Sequence, residues 1–264
     1  MDKVKPFFHY IISAKEVKKR REAVIQRMAK WGLTPNFFDA IMGNKLSKEQ
    51  LHKLSADGGL LTVGEIGCAL SHMAIYKKLL ESEEPFIYIF EDDAEFTDLF
   101  IELETEIHQF MSAQLEPTVL VLCPIAGRKK PIKRIGHSVS IMRCLAGTKA
   151  HAYAINRKAA ENLLKAQTPV KIELDAWAIY QKLNFIKLYC LNKAAIELDQ
   201  GLSQDSIIDK IENRTVRKPE NVRRIKDQHV RNWYKQLSVS EQIKFQIRRL
   251  QRHIQELYYD KDEI

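Results

Sequence analysis

Long apolar runs are missing from this chain. The longest mostly apolar stretch lies around Val119 to Ala126, well short of the roughly 18 residues that a membrane-crossing helix needs. No transmembrane helix is expected. Glycine and proline are scarce, 10 and 8 among 264 residues, which excludes collagen-like and proline-rich architectures. Only four cysteines occur, Cys68, Cys123, Cys144 and Cys190, far apart and without a C-x-x-C pair. That spacing argues for reduced thiols in a cytosolic protein, not for a disulfide framework or a structural zinc site. A secretory leader is not expected either, because Phe7 to Ile12 is short, contains His9 and runs into charge. Internal repeats and low-complexity linkers are absent as well.

What is present has ordinary globular composition, 45% apolar and 29% charged, so disorder and fibrous classes are out. The length suits one large domain, or one domain with an appendage. The formal charge is +8, and its distribution matters more than its size. Between Arg214 and Ile264 there are 13 Lys or Arg against 7 Asp or Glu. Such a tail could meet nucleic acid, anionic lipid or an acidic partner, or be a solvated helical surface.

Short β-branched and aromatic runs predict strands at 7–12, 86–90 and 118–123, with weaker signals at 138–142, 152–155 and 185–191. Helical patterns lie between them at 16–31, 63–81, 95–111 and 157–166. Strands alternating with helices predict an α/β sheet with parallel crossovers. Beyond about Ser203 only helices are expected, near 219–237 and 239–258, which divides the chain into a domain of 1–212 and a basic helical extension of 213–264. In the last helix Val239, Ile243, Ile247, Leu250, Ile254 and Leu257 form an apolar stripe, with Lys244, Arg248 and Arg252 as a basic ridge beside it.

The sharpest local signal is Phe86-Ile87-Tyr88-Ile89-Phe90-Glu91-Asp92-Asp93. A buried strand there delivers three consecutive carboxylates at its carboxyl end, where open α/β sheets bind ligands. Adjacent acids raise each other's pKa unless a cation neutralises them. A divalent metal with oxygen ligands is the natural partner; a helix N-terminus starting at Ala94-Glu95 is the structural alternative. In Thr62-Val63-Gly64-Glu65-Ile66-Gly67-Cys68-Ala69-Leu70-Ser71-His72, Thr62 and Glu65 fit a capping box. His72, one turn past Cys68, is either a metal ligand, a general base or a satisfied core histidine.

Several separated motifs carry a resemblance. They are Ile11-Ile12-Ser13 with Arg20-Arg21, Phe37-Phe38-Asp39-Ala40, the Gly64 to His72 block, and Glu91-Asp92-Asp93. Gly147-Thr148 with Ala152-Tyr153-Ala154-Ile155 and the segment Glu173-Leu174-Asp175 complete the set. In this order they resemble the family 25 glycosyltransferases, which include lipopolysaccharide and lipooligosaccharide galactosyltransferases and collagen galactosyltransferases. The sequence departs from the family pattern at Glu173, where a proline is common.

The resemblance implies a GT-A-like, Rossmann-type mixed sheet flanked by helices, with the helical C-terminal extension appended. It also implies a UDP-sugar donor, UDP-galactose or UDP-glucose, a lipooligosaccharide core acceptor, and inversion at the anomeric carbon. Glu91 and Asp93 would hold Mn²⁺ or Mg²⁺, with Asp92 turned to the donor. Asp175 would be the base, with Glu173 in reserve; an N-cap role is the alternative for Asp175. Donor contacts would come from Ile12, Ser13, Arg20, Arg21, Asp39 and Ala40, one of the two arginines being an exposed helix residue. Glu65, Ser71 and His72 would line the pocket or brace the metal strand. Lys129 and Lys130, with Arg128, are candidates for the acceptor side. A cytoplasmic protein is expected, with peripheral contact to the inner membrane through its basic tail and Trp233, Tyr234, Tyr258 and Tyr259. The competing readings are a metal-dependent phosphohydrolase or nuclease on the same acids, and a nucleic-acid-binding protein. No helix-turn-helix, zinc signature or interleaved aromatic pattern supports the latter.

Overall fold

The computed structural model of the chain describes residues 7–127, 129–199, 201 and 219–255. Its centre is β3 (Phe86–Glu91), whose first five residues are all buried. Strand alternation divides them between two cores. Ile87 and Ile89 face one hydrophobic cluster, while Phe86, Tyr88 and Phe90 face another. A strand covered on both faces reads as an unbroken apolar run, which is why FIYIF is so conspicuous.

The first cluster is roofed by α3 (Val63–Glu81) and α5 (Arg157–Gln167), through residues such as Met73, Tyr76, Ala160 and Leu163. The second is roofed by α1 (Lys18–Ala29) and α4 (Asp98–Ser112), through Val24, Met28, Phe100 and Ile107. Helix α3 begins at a complete capping box between Thr62 and Glu65, as the sequence predicts.

Eight strands make the main sheet. In spatial order they are β2 (Phe37–Asp39), β1 (His9–Ser13), β3, β8 (Ala152–Asn156), β5 (Thr118–Val121), β9 (Lys187–Leu191), β7 (Val139–Cys144) and β6 (Lys129–Ile135). Strands β1, β2 and β3 run parallel, as do β5 and β9. Strand β8 is antiparallel to both its neighbours, and β7 and β6 form an antiparallel hairpin against β9. The sheet is therefore mixed, not the succession of parallel crossovers that alternation suggests. A second small sheet pairs β4 (Ala94–Phe96) with β10 (Ile196–Leu198). That pairing delays the helix expected from residue 95, and α4 starts only at Asp98.

The expected division at 212/213 lies outside the described residues. Beyond it, α7 (Pro219–Gln236) docks on the domain. Trp233 is 4% exposed and joins the cluster of α3 and α5, its indole N–H donating to Ala166 O at 3.2 Å. It is thus a core residue and not a membrane-interface aromatic; Tyr258 and Tyr259 are outside the described residues. In α8 (Val239–Gln255) Phe245 is buried, whereas the stripe residues Val239, Ile243, Ile247 and Leu250 are 73, 56, 51 and 67% exposed. Phe245 lies about 200° around the helix from Ile243, so the anchoring residue and the stripe occupy opposite faces.

Candidate active site

Parallel pairing of β1 with β3 sets Ile12 beside Glu91, so both strands open at one sheet edge. A cleft forms there between this edge, the segment Ala40–Asn44 and α3. It encloses about 750 Å³ including the solvent at its mouth. Small residues bring its wall close. A Cβ on Gly67 would lie 2.4 Å from Ile41 O and 2.6 Å from Gly43 N, and one on Gly43 would lie 1.7 Å from Val63 O.

The three acids divide by partner. Asp92 is buried and both its carboxylate oxygens are taken: Ser13 Oγ donates to Oδ2 at 2.9 Å, and Arg20 binds Oδ1. Burial raises its pKa against the opposing pull of Arg20 and Ser13. Its backbone carbonyl accepts from Arg27 at 2.6 Å, and Arg27 also pairs with Asp199 at 3.1 Å. Glu91 ends β3 with Oε1 3.5 Å from His72 Nε2. Burial pushes its pKa up, but the nearby His72, with His151 and Arg20, outweighs that and leaves it lowered. Asp93 has a buried Oδ1 with no hydrogen-bond partner. Burial first, then the charges of Glu91 and Asp92, push its pKa up to about 7. These acids occupy the turn between β3 and β4, so the helix-cap alternative does not apply to them.

Most of the predicted donor residues reach the cleft. Ile12, Ser13, Arg20 and Ala40 line one side, Ser71 and His72 another, with the three acids between. Ser71 Oγ donates to Gly67 O and accepts from Ile41 N–H, both at 2.8 Å, so it braces the wall. Glu65 is occupied in the α3 capping box. Arg21 and Asp39 pair just outside the cleft, and the Arg21 hydrogen bond and charge hold the exposed Asp39 carboxyl below its usual range. Arg21 also donates to Ser13 O at 3.0 Å. Neither arginine is thus an idle surface residue: Arg20 is buried on Asp92, and Arg21 is anchored at both partners.

Asp175 does not cap α6 (Trp177–Lys182); Ala176 holds that position without a side-chain bond. Instead Asp175 Oδ2 accepts from Lys149 N–H at 3.0 Å. Burial raises its pKa, the Lys149 bond opposes this, and the charges of Glu173 and Glu91 add to it. The influence of Glu91 ties Asp175 electrostatically to the acidic turn. Glu173 is committed elsewhere, with Oε1 2.8 Å from Lys226 of α7. Lys129 and Lys130 lie on edge strand β6, five strands from β3, about 24 Å across the sheet at the usual strand spacing. Arg128 is outside the described residues.

Arg27, Lys149 and His151 carry no sequence expectation, and Tyr153 stands in a recognised motif without an assigned role. Arg27 has a signal: Arg20, Val24, Arg27 and Met28 are the buried residues of α1, an i, i+4, i+7, i+8 face. Lys149 has none, although its φ of +82° is rare for a residue with a side chain.

Comparison with known proteins gives a family-level match. The model described as "Glycosyltransferase family 25 (LPS biosynthesis protein)" covers residues 7–178. The chain is 28% identical over 179 residues to procollagen galactosyltransferase 1-A of Xenopus laevis, covering 62% of this chain and 29% of that protein. It is 32% identical over 87 residues to the lipooligosaccharide biosynthesis protein lic2B of Haemophilus influenzae, 32% of this chain and 33% of that protein. The inactive glycosyltransferase 25 family member 3 of Mus musculus is 29% identical over 101 residues, 34% of this chain and 17% of that protein. The alignments with these curated relatives span a third or less of the relatives' own lengths.

Proposed function

The chain belongs to glycosyltransferase family 25, and from that premise we propose that it is an active, inverting transferase. The donor is a UDP-hexose, most simply UDP-galactose, and the acceptor a sugar of a lipooligosaccharide or lipopolysaccharide core. The catalytic unit corresponds to a GT-A-like arrangement. The observation that carries this reading is the division of labour among the acids. Asp92 is consumed by Arg20 and Ser13, while Asp93 keeps a buried, unpartnered oxygen beside Glu91.

Glu91 and Asp93 fit Mn²⁺ or Mg²⁺ as hard oxygen donors, and Asp93 Oδ1 is a buried oxygen without a hydrogen-bond partner that a cation would satisfy. When bound, such an ion would offset negative charge growing on the departing diphosphate. The protein's own groups do the rest. Asp92 holds Arg20 at the cleft, where its guanidinium can meet phosphate oxygens. The backbone at Ile12 and Ser13, with the Arg21–Asp39 pair at the rim, supplies polar groups for the nucleoside.

Inversion needs one carboxylate to take the acceptor hydroxyl's proton as that oxygen attacks the anomeric carbon. Asp175 is the candidate: Lys149 N–H fixes Oδ2 and leaves Oδ1 to receive the proton. A raised pKa makes it a stronger base than an ordinary Asp. The Glu173 carboxylate is tied to Lys226 and is the weaker choice.

The exposed stripe of α8 has Lys244 and Arg249 as exposed neighbours. Apolar side chains with adjacent cations fit an anionic bilayer, where each well-placed cation adds about 1 kcal/mol. Among the described residues no helix is long and apolar enough to cross a membrane, so the contact would be peripheral. Flotation with phosphatidylserine-containing vesicles tests this, and binding that survives Ile243→Asp with Ile247→Asp would refute it.

Calorimetric titration with UDP, with and without Mn²⁺, tests the central reading. Metal-dependent binding lost in Asp93→Ala, followed by release of hexose from one UDP-sugar, is expected. No UDP binding under either condition would overturn the donor assignment.

A further inference from the structure

On the α3 wall of the cleft, Cys68, His72 and Glu91 converge. Their ligating atoms lie within 4.8 Å of one another, and all three residues face the cleft. Cys68 and His72 are four residues apart on α3, so one helical face presents the thiol and the imidazole together. We propose that these three residues form a site for a thiophilic divalent ion, Zn²⁺ or Co²⁺, distinct in donor type from the oxygen pair Glu91 and Asp93.

Three observations carry the site. First, His72 is completely buried, yet its Nε2 has no hydrogen-bond partner; Glu91 approaches only to 3.5 Å. A buried polar atom left in this way costs about 1–3 kcal/mol, which a bound cation would remove. Second, the other ring nitrogen is already secured. His72 Nδ1 lies 2.8 Å from Tyr153 Oη, which lies 2.7 Å from Tyr76 Oη. Metal-binding histidines characteristically have their second nitrogen fixed in this manner. Third, the hydroxyl pair serves both states. Without metal, Tyr153 can donate to Nδ1, which puts the proton on Nε2 facing Glu91. With metal, Nδ1–H donates to Tyr153, which donates on to Tyr76, and the Nε2 lone pair is free for the ion.

Tetrahedral zinc ligands at about 2.0–2.3 Å from the ion stand roughly 3.3–3.8 Å apart. The three donors therefore need to close by about 1 Å, and the Glu91 side chain, 33% exposed, can supply that movement. Water or substrate would take the fourth position. Affinity order favours such a set for Zn²⁺ over Mg²⁺ or Mn²⁺. Because Glu91 is shared, zinc occupancy and oxygen-site occupancy would exclude each other.

The cysteine spacing argues against a structural zinc site; one thiolate with one histidine and one carboxylate, leaving an open fourth position, is a different class. The proposal stands without the transferase reading, since it concerns metal binding alone. Its test is titration of the metal-free full chain with Co²⁺, followed in the near ultraviolet for thiolate-to-cobalt charge transfer. One equivalent producing the band, its displacement by Zn²⁺, and its loss in Cys68→Ser are expected. His72→Gln should weaken Co²⁺ binding by more than about tenfold, and Asp93→Ala should retain the band. Absence of cobalt binding, binding without a charge-transfer band, or a band that survives Cys68→Ser would each overturn the proposal. The last result would place the metal on Cys123, Cys144 or Cys190.

Discussion

Asp93→Asn should stabilise the protein increasingly as pH rises above about 4, with the full gain reached near pH 7. Burial and the neighbouring acids raise the Asp93 pKa from 3.8 to about 7. The folded state then holds a proton that the unfolded state has lost, over a window from about pH 4 to pH 7. Stability contributed by the protonated carboxyl is complete below that window and is lost as pH rises through it. Raising the pKa from 3.8 to about 7 corresponds to roughly 4 kcal/mol. Partial solvent access and shared titration with Glu91 reduce this, and about 2 kcal/mol is the working figure. Asn reproduces the neutral carboxyl and removes the cost. For a chain of this size about 2 kcal/mol is a rise of roughly 4–8 °C in Tm. Thermal unfolding of both proteins in chelator, at pH 4.5 and pH 8, measures it. The two curves should nearly coincide at the lower pH and separate at the higher. Equal melting at pH 8, or a separation independent of pH, would refute the reasoning and show that Asp93 is not held in an electrostatically unfavourable place.

Gly67→Ala sets two effects against each other. Helix propensity favours Ala by about 1 kcal/mol, but the new Cβ meets backbone atoms of Ile41 and Gly43, and such overpacking costs about 1–3 kcal/mol. Net destabilisation in urea unfolding is expected, with weakened UDP binding because the displaced segment walls the cleft. Trp233→Ala should cost about 3–5 kcal/mol and raise proteolytic cleavage within α7; unchanged stability would contradict the docking. Asp175→Asn should leave UDP affinity within about twofold while lowering turnover at least a hundredfold, the scale of general-base catalysis. Retained turnover would remove Asp175 as the base.

The unbroken apolar run of β3 and the acids at its end are readable because burial on both faces and charge at a strand terminus each leave a local mark. The same holds for α3, whose capping box is complete in the structure. What sequence could not supply is tertiary. Arg27 is obscured because α1 carries cations all around, and only the spacing with Val24 and Met28 distinguishes its buried side. Asp92 and Asp93 are chemically alike in sequence; Arg20 and Ser13, some 70 residues earlier, make one a structural anion and leave the other unpaired. Asp175 reads equally well as a cap or a base until Lys149 is seen to hold it. Strand direction is equally hidden, since a short apolar run such as β8 carries no label for parallel or antiparallel pairing.

The reversed direction of β8 has a consequence for how the acidic turn is enclosed. In an all-parallel sheet, each strand sends only the segment that follows it to the ligand edge. Strand β8 enters at that edge, with Ala152 beside Phe90 and His151 O bound to Glu91 N–H. The residues before it, including the strained Lys149 that Asp175 grips, therefore abut the acids from the opposite chain direction. This preceding segment is pinned to β3 by the His151–Glu91 backbone bond and to α6 by the Trp177 indole on Lys149 O at 2.9 Å. The acidic turn is thus bordered by two chain segments that arrive in opposite directions, one following β3 and one preceding β8.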